Sequence, residues 1–572
     1  MLRADRVAGK KIPHRLASRW DCCTVGGMNA PIELVDTEAL MATCRLMAER
    51  QKLSGTPDEL ASMQAIQAKL DGFGYRTTLL SHDAYISLPG PARVSIDGAA
   101  TQAITHSFSR AGTLTAPVVY VGQGGVADFA GKALQGAIVL AEGIASPVVA
   151  DRARRAGAAG QLHISPHHHL HEMCISPVWG SPGASTVEHL PGTIACTISN
   201  ADGAALRDRL AQGESPVVTL EAAVDTGWRK TPILVADMGA PDDDEDRPFI
   251  LFSGHHDTWY FGVMDNGSAN ATMVECARVL ASRRAEWRRG LRLCFWSGHS
   301  HGRYSGSSWY VDNNWDELER LCAVHVNVDS TGGVGATALS EAAAAPELAA
   351  VAAEAIRAET NQLHEGKRNA RNSDMTFWGV GVPSMLGSLS HQPPGGPAMR
   401  NALGWWWHTP NDLLDKIDPA NLARDTRVFV RVLWQLLTAP RLPLDFVAHA
   451  QALLATLATL QAPVEVLAPL VAEATAVRDK APALLGVEPD TANRAMMQLS
   501  RALVPMENTA GDRFVHDPAL PQNPWPVLDP IRALATASPD MAAFALVDAV
   551  RARNRMLHAL RQANRALDAA VV

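Results

Sequence analysis

The sequence contains no run of about eighteen apolar residues, so no membrane-spanning helix is readable in it. Cysteine is scarce for a chain of 572 residues: Cys22, Cys23, Cys44, Cys174, Cys196, Cys276, Cys294 and Cys322 are scattered without a CxxC pair. That excludes a zinc ribbon or a disulfide framework and suits free thiols in a reducing compartment. An excess of positive charge is also missing. The 51 basic and 59 acidic residues leave a net charge of −8, and no basic stripe follows a phosphate backbone, which argues against nucleic acid as a partner. The first thirty residues carry Arg3, Arg6, Lys10, Lys11, Arg15 and Arg19 but no continuous apolar segment, so neither a signal peptide nor an anchor is legible there. The expectation is a soluble, cytoplasmic protein with a disordered basic leader over residues 1–30.

What is present is a globular composition, 47% hydrophobic and 19% charged, in a chain too long for one ordinary core. Residues 31–80 read as helices, with apolar residues spaced by three and four, and Thr56-Pro57-Asp58-Glu59 forms a helix start. Short β-branched runs separated by glycine and proline then fill 113–225, which reads as an inserted β-rich domain. After the acidic linker GAPDDDEDRP, strands and helices alternate from FILFSGHHD to about residue 440. That alternation predicts an α/β fold with a mainly parallel mixed sheet flanked by helices, whose ligands gather at the carboxyl ends of the strands. Residues 441–572 are Ala- and Leu-rich and predict a helical end domain. The main domain is thus expected over 31–112 and 226–440.

Four predicted strand ends carry metal-ligand residue types. SGHHDTWYFGVMDNGSAN supplies His255, Asp257 and Asp265; CFWSGHSHG supplies His299 and His301; HVNVDSTGG ends in Asp329; WWWHTPNDLLDKID supplies His408, followed by a helix capped by Asn411 or Asp412. A single such residue is more often an ordinary loop residue than a ligand. Four sets at four strand ends point to a metal centre.

The residues GHHD…DNGS, FW…GS…Y, NVDSTGG, NSDMTFWGVGVPS and HTPNDLLDKID together resemble the cocatalytic dizinc aminopeptidases and carboxypeptidases that include glutamate carboxypeptidase II and the transferrin-receptor relatives. The resemblance implies a zinc-exopeptidase-like sheet, a protease-associated domain at 113–225 and a C-terminal dimerisation domain, giving a homodimer. It implies that His255, Asp265 and Asp329 bind one metal, that Asp265 bridges to a second held also by His408, and that Asp257 orients a ligand. Two divalent metals per chain are expected, zinc first, with iron, manganese, cobalt or nickel as alternatives.

The resemblance also demands two adjacent glutamates after Trp296, a general base and a ligand. This chain has His299-Ser300-His301 instead. Depending on where an extra residue falls in the turn, either His299 takes the base position and Ser300 the ligand position, or Ser300 and His301 do. Imidazole serves in both roles and serine in neither, so the assignment preferred here is His301 as ligand and His299 as proton shuttle.

The function implied is metal-dependent hydrolysis of an amide or peptide-like bond in a small molecule or short peptide. The alternatives are a lyase or decarboxylase-type metalloenzyme on the same scaffold and an inactive receptor-like binding protein. Indiscriminate decay would not have left His255, Asp257, Asp265, Asp329 and His408 together. His391 and Arg400, in the Pro- and Trp-rich stretch before His408, are candidates for holding a substrate carboxylate or oxyanion. The stretch SPHHHLHEM reads as a polar loop, with His171 and Trp179 as candidates to face substrate, and Asp374 reads as a helix cap.

Overall fold

The computed structural model describes residues 30–242, 246–365, 368, 371, 373–393 and 402–571. The leader and Arg400 lie outside them, apart from residue 30. Helix Thr37–Met47 starts at Asp36, whose carboxylate accepts from the backbone N–H of Glu38 and Ala39, and it buries Leu40, Cys44 and Met47. Helix Pro57–Gly72 starts at Thr56 with proline in its first turn and buries Met63, Ile66 and Leu70. Helix was expected as far as residue 80, but a strand begins at Arg76.

That strand, Arg76–Ile96, pairs antiparallel along nearly its whole length with Val218–Met238. The ribbon belongs to an eight-stranded mixed sheet. From one edge the order is Ser384–Ser388, Cys322–Asp329, Phe249–His255, Gly290–Trp296, Val218–Met238, Arg76–Ile96 and Ala99–Thr101, with Gly112–Ala116 also pairing to Val218–Met238. The first four strands are parallel. Phe249–His255 and Gly290–Trp296 are buried throughout, as strands covered on both faces must be.

Alternate residues feed two cores. Ile250, Phe252, Leu293 and Phe295 pack with Met273 and Phe429 of the helices on one face. Phe249, Leu251, Cys294 and Trp296 pack with Tyr310, Leu318 and Phe377 on the other.

The insertion expected at 113–225 holds a second, five-stranded sheet whose strands begin at Ala103 and end at Ile198, in the order Ala103–Thr105, Ile194–Ile198, Gly160–Ile164, Ile138–Glu142, Val118–Tyr120. Its last four strands are parallel and it carries helices Pro147–Arg155 and Asn200–Ala211, so it is an α/β unit. The long ribbon connects the two sheets.

The C-terminal region is helical: Phe446–Leu457, Val464–Lys480, Pro489–Asn508 and Ala542–Val571 are its long helices. Leu453, Leu470, Met496 and Leu560 join the apolar core on the first face of the main sheet. Among the described residues no helix is long and apolar enough to cross a membrane.

Candidate metal centre

His255 is the last residue of the central parallel strand. Its Nδ1 lies 2.8 Å from the carbonyl oxygen of Asp257. A carbonyl only accepts, so Nδ1 carries the proton and Nε2 is left with a lone pair. His408 is arranged the same way: Nδ1–H donates to the Glu172 carbonyl at 2.7 Å. The two Nε2 atoms approach one carboxylate, His255 at 3.1 Å from Asp265 Oδ1 and His408 at 3.0 Å from Asp265 Oδ2. Asp329 Oδ1 lies 3.8 Å from His255 Nε2.

As neutral tautomers the two rings turn lone pairs toward the two oxygens of one buried carboxylate; with no cation between them, Asp265 and Asp329 hold His255 well above its ordinary value against burial, which lowers it. His255 Nε2 and Asp265 Oδ1 are buried without a hydrogen-bond partner, a costly state unless a cation lies between them. The donor set therefore fits divalent metal.

Asp265 is held from behind. Asp412 Oδ1 and Oδ2 accept the backbone N–H groups of Met264 and Asp265 at 2.8 and 3.0 Å. The Asn266 amide donates to the carbonyls of His255 and Val328 and accepts from Ser330 N–H, tying two strand ends to the loop. Asp412 was expected as a helix cap; no helix starts there, and it holds the backbone of Asp265 instead.

The expected role of Asp257 also changes. Its main-chain carbonyl, not its carboxylate, orients His255. The carboxylate accepts from His299 N–H at 3.2 Å, Ser300 N–H at 2.9 Å and Ser54 Oγ at 2.7 Å, and so fixes the turn that bears both histidines. The turn is tight: Gly298 has φ +75°, and a Cβ on Gly306 would sit 2.3 Å from the Ser297 carbonyl oxygen.

His299 Nδ1–H donates to Asp374 Oδ2 at 2.8 Å, and its ring stacks on His255 with centroids 3.7 Å apart and planes 9° apart. Donor atoms of His255, His299 and Asp329 all lie within 4.8 Å of one another. Asp374 is no helix cap. It is buried, its second oxygen accepts from Ser307 Oγ at 2.6 Å, and against burial, which raises it, His299 holds the carboxyl below its usual range.

His301 packs against Trp259 at 4.4 Å, with Trp259 in turn 5.4 Å from the His408 ring. Its Nδ1 meets Ser54 Oγ at 3.0 Å and accepts from Ser54 N–H at 3.4 Å. Burial pushes it down to about 4, so it is neutral at pH 7. Ser300 Oγ is buried without a partner.

The structure thus brings His255, Asp265, Asp329, His299 and His408 into one cluster, with His301 on the Trp259 side. His391 pairs through its main chain with Ala338.

The sequence reading missed Asp412, Asp374, Ser54 and Glu172 as site residues. Glu172 clamps His408 through its peptide alone, donating N–H to the His408 carbonyl at 3.1 Å as well as accepting Nδ1–H. Its carboxyl, bonded to Tyr260, is pushed by burial up to about 7. His171 Nδ1–H donates to the Trp407 carbonyl and His169 stacks on Trp405 at 4.2 Å, so the histidine-rich loop of the insertion covers the tryptophan-rich loop that carries His408.

Comparison with known proteins agrees with this geometry. Residues 234–433 match the model of peptidase family M28. "Probable glutamate carboxypeptidase VP8" of Zea mays is 21% identical over 364 residues, 52% of this chain and 51% of that protein. "Probable glutamate carboxypeptidase LAMP1" of Arabidopsis thaliana is 30% identical over 126 residues, 21% of this chain and 18% of that one. The chain therefore spans about half the length, or less, of these curated relatives. Among solved structures, an aminopeptidase from Aneurinibacillus sp. strain AM-1 aligns with a TM-score of 0.55 at 22% identity, covering 71% of this chain and 95% of that one. The zinc aminopeptidase BSAP of Bacillus subtilis aligns with the same score at 19% identity, over 71% and 95%. These two likenesses describe the scaffold. Residues 234–433, which hold the parallel strands and the residues at their ends, are thus similar to peptidase family M28.

Proposed function

We propose that this protein is a metal-dependent hydrolase of an amide or peptide-like bond in a small molecule or short peptide. One observation carries the reading: the Nε2 atoms of His255 and His408 approach the buried Asp265 carboxylate, one at each oxygen. The aminopeptidase and glutamate carboxypeptidase names of the relatives support an exopeptidase-type substrate.

In this reading His255, Asp265 and Asp329 would hold one zinc ion, and His408 and His301, with Asp265, would hold a second. Metal so bound supplies Lewis acidity and brings the pKa of water toward neutrality. The protein's part is proton traffic and orientation. With Nδ1–H committed to Asp374, His299 keeps a lone pair on Nε2; it accepts the proton of the attacking water and returns it to the leaving amine. Asp374 stabilises the imidazolium formed between those events, replacing the missing glutamate base with a histidine–carboxylate pair. The insertion, as a protease-associated domain, contributes the wall around Glu172. His391 and Arg400 are the proposed groups for a substrate carboxylate. A homodimer through the helical end domain completes the proposal.

The mutual proximity of His255, His299 and Asp329 favours a second reading, in which His299 is itself a ligand of a single metal and the reaction is of lyase or decarboxylase type.

Elemental analysis of wild type, His301→Ala and His299→Ala, run beside hydrolysis of aminoacyl and N-acylated amino-acid anilides, separates the two. A metal content lowered by one per chain with His301→Ala only, and hydrolysis lost with His299→Ala at unchanged metal content, supports the hydrolase. A single metal lost with His299→Ala, and no hydrolysis by the wild type, overturns it in favour of the second reading.

A further inference from the structure

A second set of metal-ligating side chains lies away from the strand ends. Glu347, in the short turn before helix Ala349–Thr360, meets His449 of helix Phe446–Leu457 and Glu507 of helix Pro489–Asn508, with donor atoms of all three within 4.8 Å of one another. Their exposures are 0%, 1% and 2%. His449 Nδ1 faces both carboxylates, 2.8 Å from Glu347 Oε2 and 3.9 Å from Glu507 Oε2.

The hydrogen bonds present do not account for the cluster. Glu347 Oε1, Glu507 Oε2 and His449 Nε2 are all buried without a partner. Arg368 donates to the main-chain carbonyl of Glu507 and lies 3.6 Å from its carboxylate, and Asp445 spends its carboxylate on capping the His449 helix. Two fully buried carboxylates sharing one imidazole proton leave acceptor oxygens unmet, at a high desolvation cost.

We propose that Glu347, His449 and Glu507 form a second, structural site for a divalent transition cation, zinc or manganese, which pins the helical end region to the α/β domain. Two carboxylates balance the charge of the cation, and carboxylate oxygen with neutral imidazole is a donor set that both metals accept. On binding, the cation takes the place of the Nδ1 proton, which leaves to solvent. The three ligands come from three separate segments, so occupancy couples their packing. The inference does not depend on the reaction at the strand ends.

The test uses full-length protein with the strand-end centre emptied by Asp265→Ala and His408→Ala, stripped with chelator and titrated with zinc or manganese chloride alone by calorimetry and elemental analysis. One equivalent bound, a rise in melting temperature with that metal, and loss of both on adding the isosteric Glu507→Gln are expected. No uptake by the emptied chain overturns the site and leaves the cluster as an imidazolium–carboxylate network. If the emptied chain does not fold, Glu507→Gln in the wild-type background decides: the metal count drops by one with hydrolysis retained if the site exists, and stays unchanged if it does not.

Discussion

Asp374 and His299, 75 residues apart in the chain, are joined by a 2.8 Å hydrogen bond that fixes the tautomer of the imidazole. The carboxylate is itself immobilised by Ser307 at 2.6 Å. In the proposed mechanism His299 is the base, which needs both its tautomer and its direction set, and this pair sets both. Asp374→Asn is therefore expected to lower kcat by about 10²-fold or more, within the range that general-base catalysis contributes, with metal content unchanged and KM nearly so. Steady-state kinetics beside elemental analysis checks it. A loss of metal in step with activity would mean instead that His299 is a ligand.

Much of the architecture was legible because strands covered on both faces read as apolar runs: FILFSG and LRLCFW could be little else. The ribbon strand Arg76–Ile96 was not legible, because only scattered positions along it are buried and Pro89 and Pro91 interrupt it. At the site, His255 and Asp257 are near neighbours in a visible motif, although their contact is through the main chain. Asp374, Asp412, Ser54 and Glu172 could not be assigned from local sequence, since their partners lie 75, 147, 203 and 236 residues away. Each reads locally as an ordinary turn or cap residue. The one available signal was a carboxylate four residues after His408.

The two N–H groups received by Asp412 fix the backbone of Asp265, and with it the direction of the Asp265 carboxylate. Asp412→Ala leaves those donors buried and frees the loop. Metal affinity is expected to fall by about 10–100-fold, the usual effect of removing a group that orients a ligand. Competition with a chromogenic chelator measures this directly; an unchanged affinity would show that Asn266 alone fixes the loop.

Lys52 is fully buried and its Nζ donates to three carbonyls, Met47 at 2.7 Å, Arg50 at 3.0 Å and Phe261 at 2.8 Å. It thereby joins the segment bearing Ser54 to the loop after Asp257. Lys52→Met keeps the aliphatic stem and leaves three acceptors without a donor, for an expected loss of about 2–4 kcal/mol at roughly 1–3 kcal/mol per unmet buried group, partly relieved by water. Urea unfolding followed by fluorescence would register it, and a midpoint equal to wild type would rule the bridge out as a stabilising element.

Four histidines away from the metal centre are buried in the neutral form. Burial lowers His82 to about 4, His163 to about 4 and His325 to about 3, and puts His106 well below its ordinary value. His325 shows why: it sits in the central sheet between Ser253 Oγ at 2.8 Å and Ser384 Oγ at 3.1 Å, where burial outweighs the pull of the Asp374 carboxylate toward an imidazolium. In the unfolded chain these groups titrate near 6.5, so between that pH and about 4 the unfolded state binds more protons than the folded one. The sign follows. Their contribution is fully present above pH 6.5 and is lost as pH falls, with a slope of up to about 1.4 kcal/mol per pH unit for each group. Melting temperature should accordingly drop steeply from pH 7 to pH 5. His325→Gln should be less stable than wild type at pH 7.5 yet decline less steeply on acidification, and parallel profiles for the two proteins would show that His325 is not one of the groups being titrated.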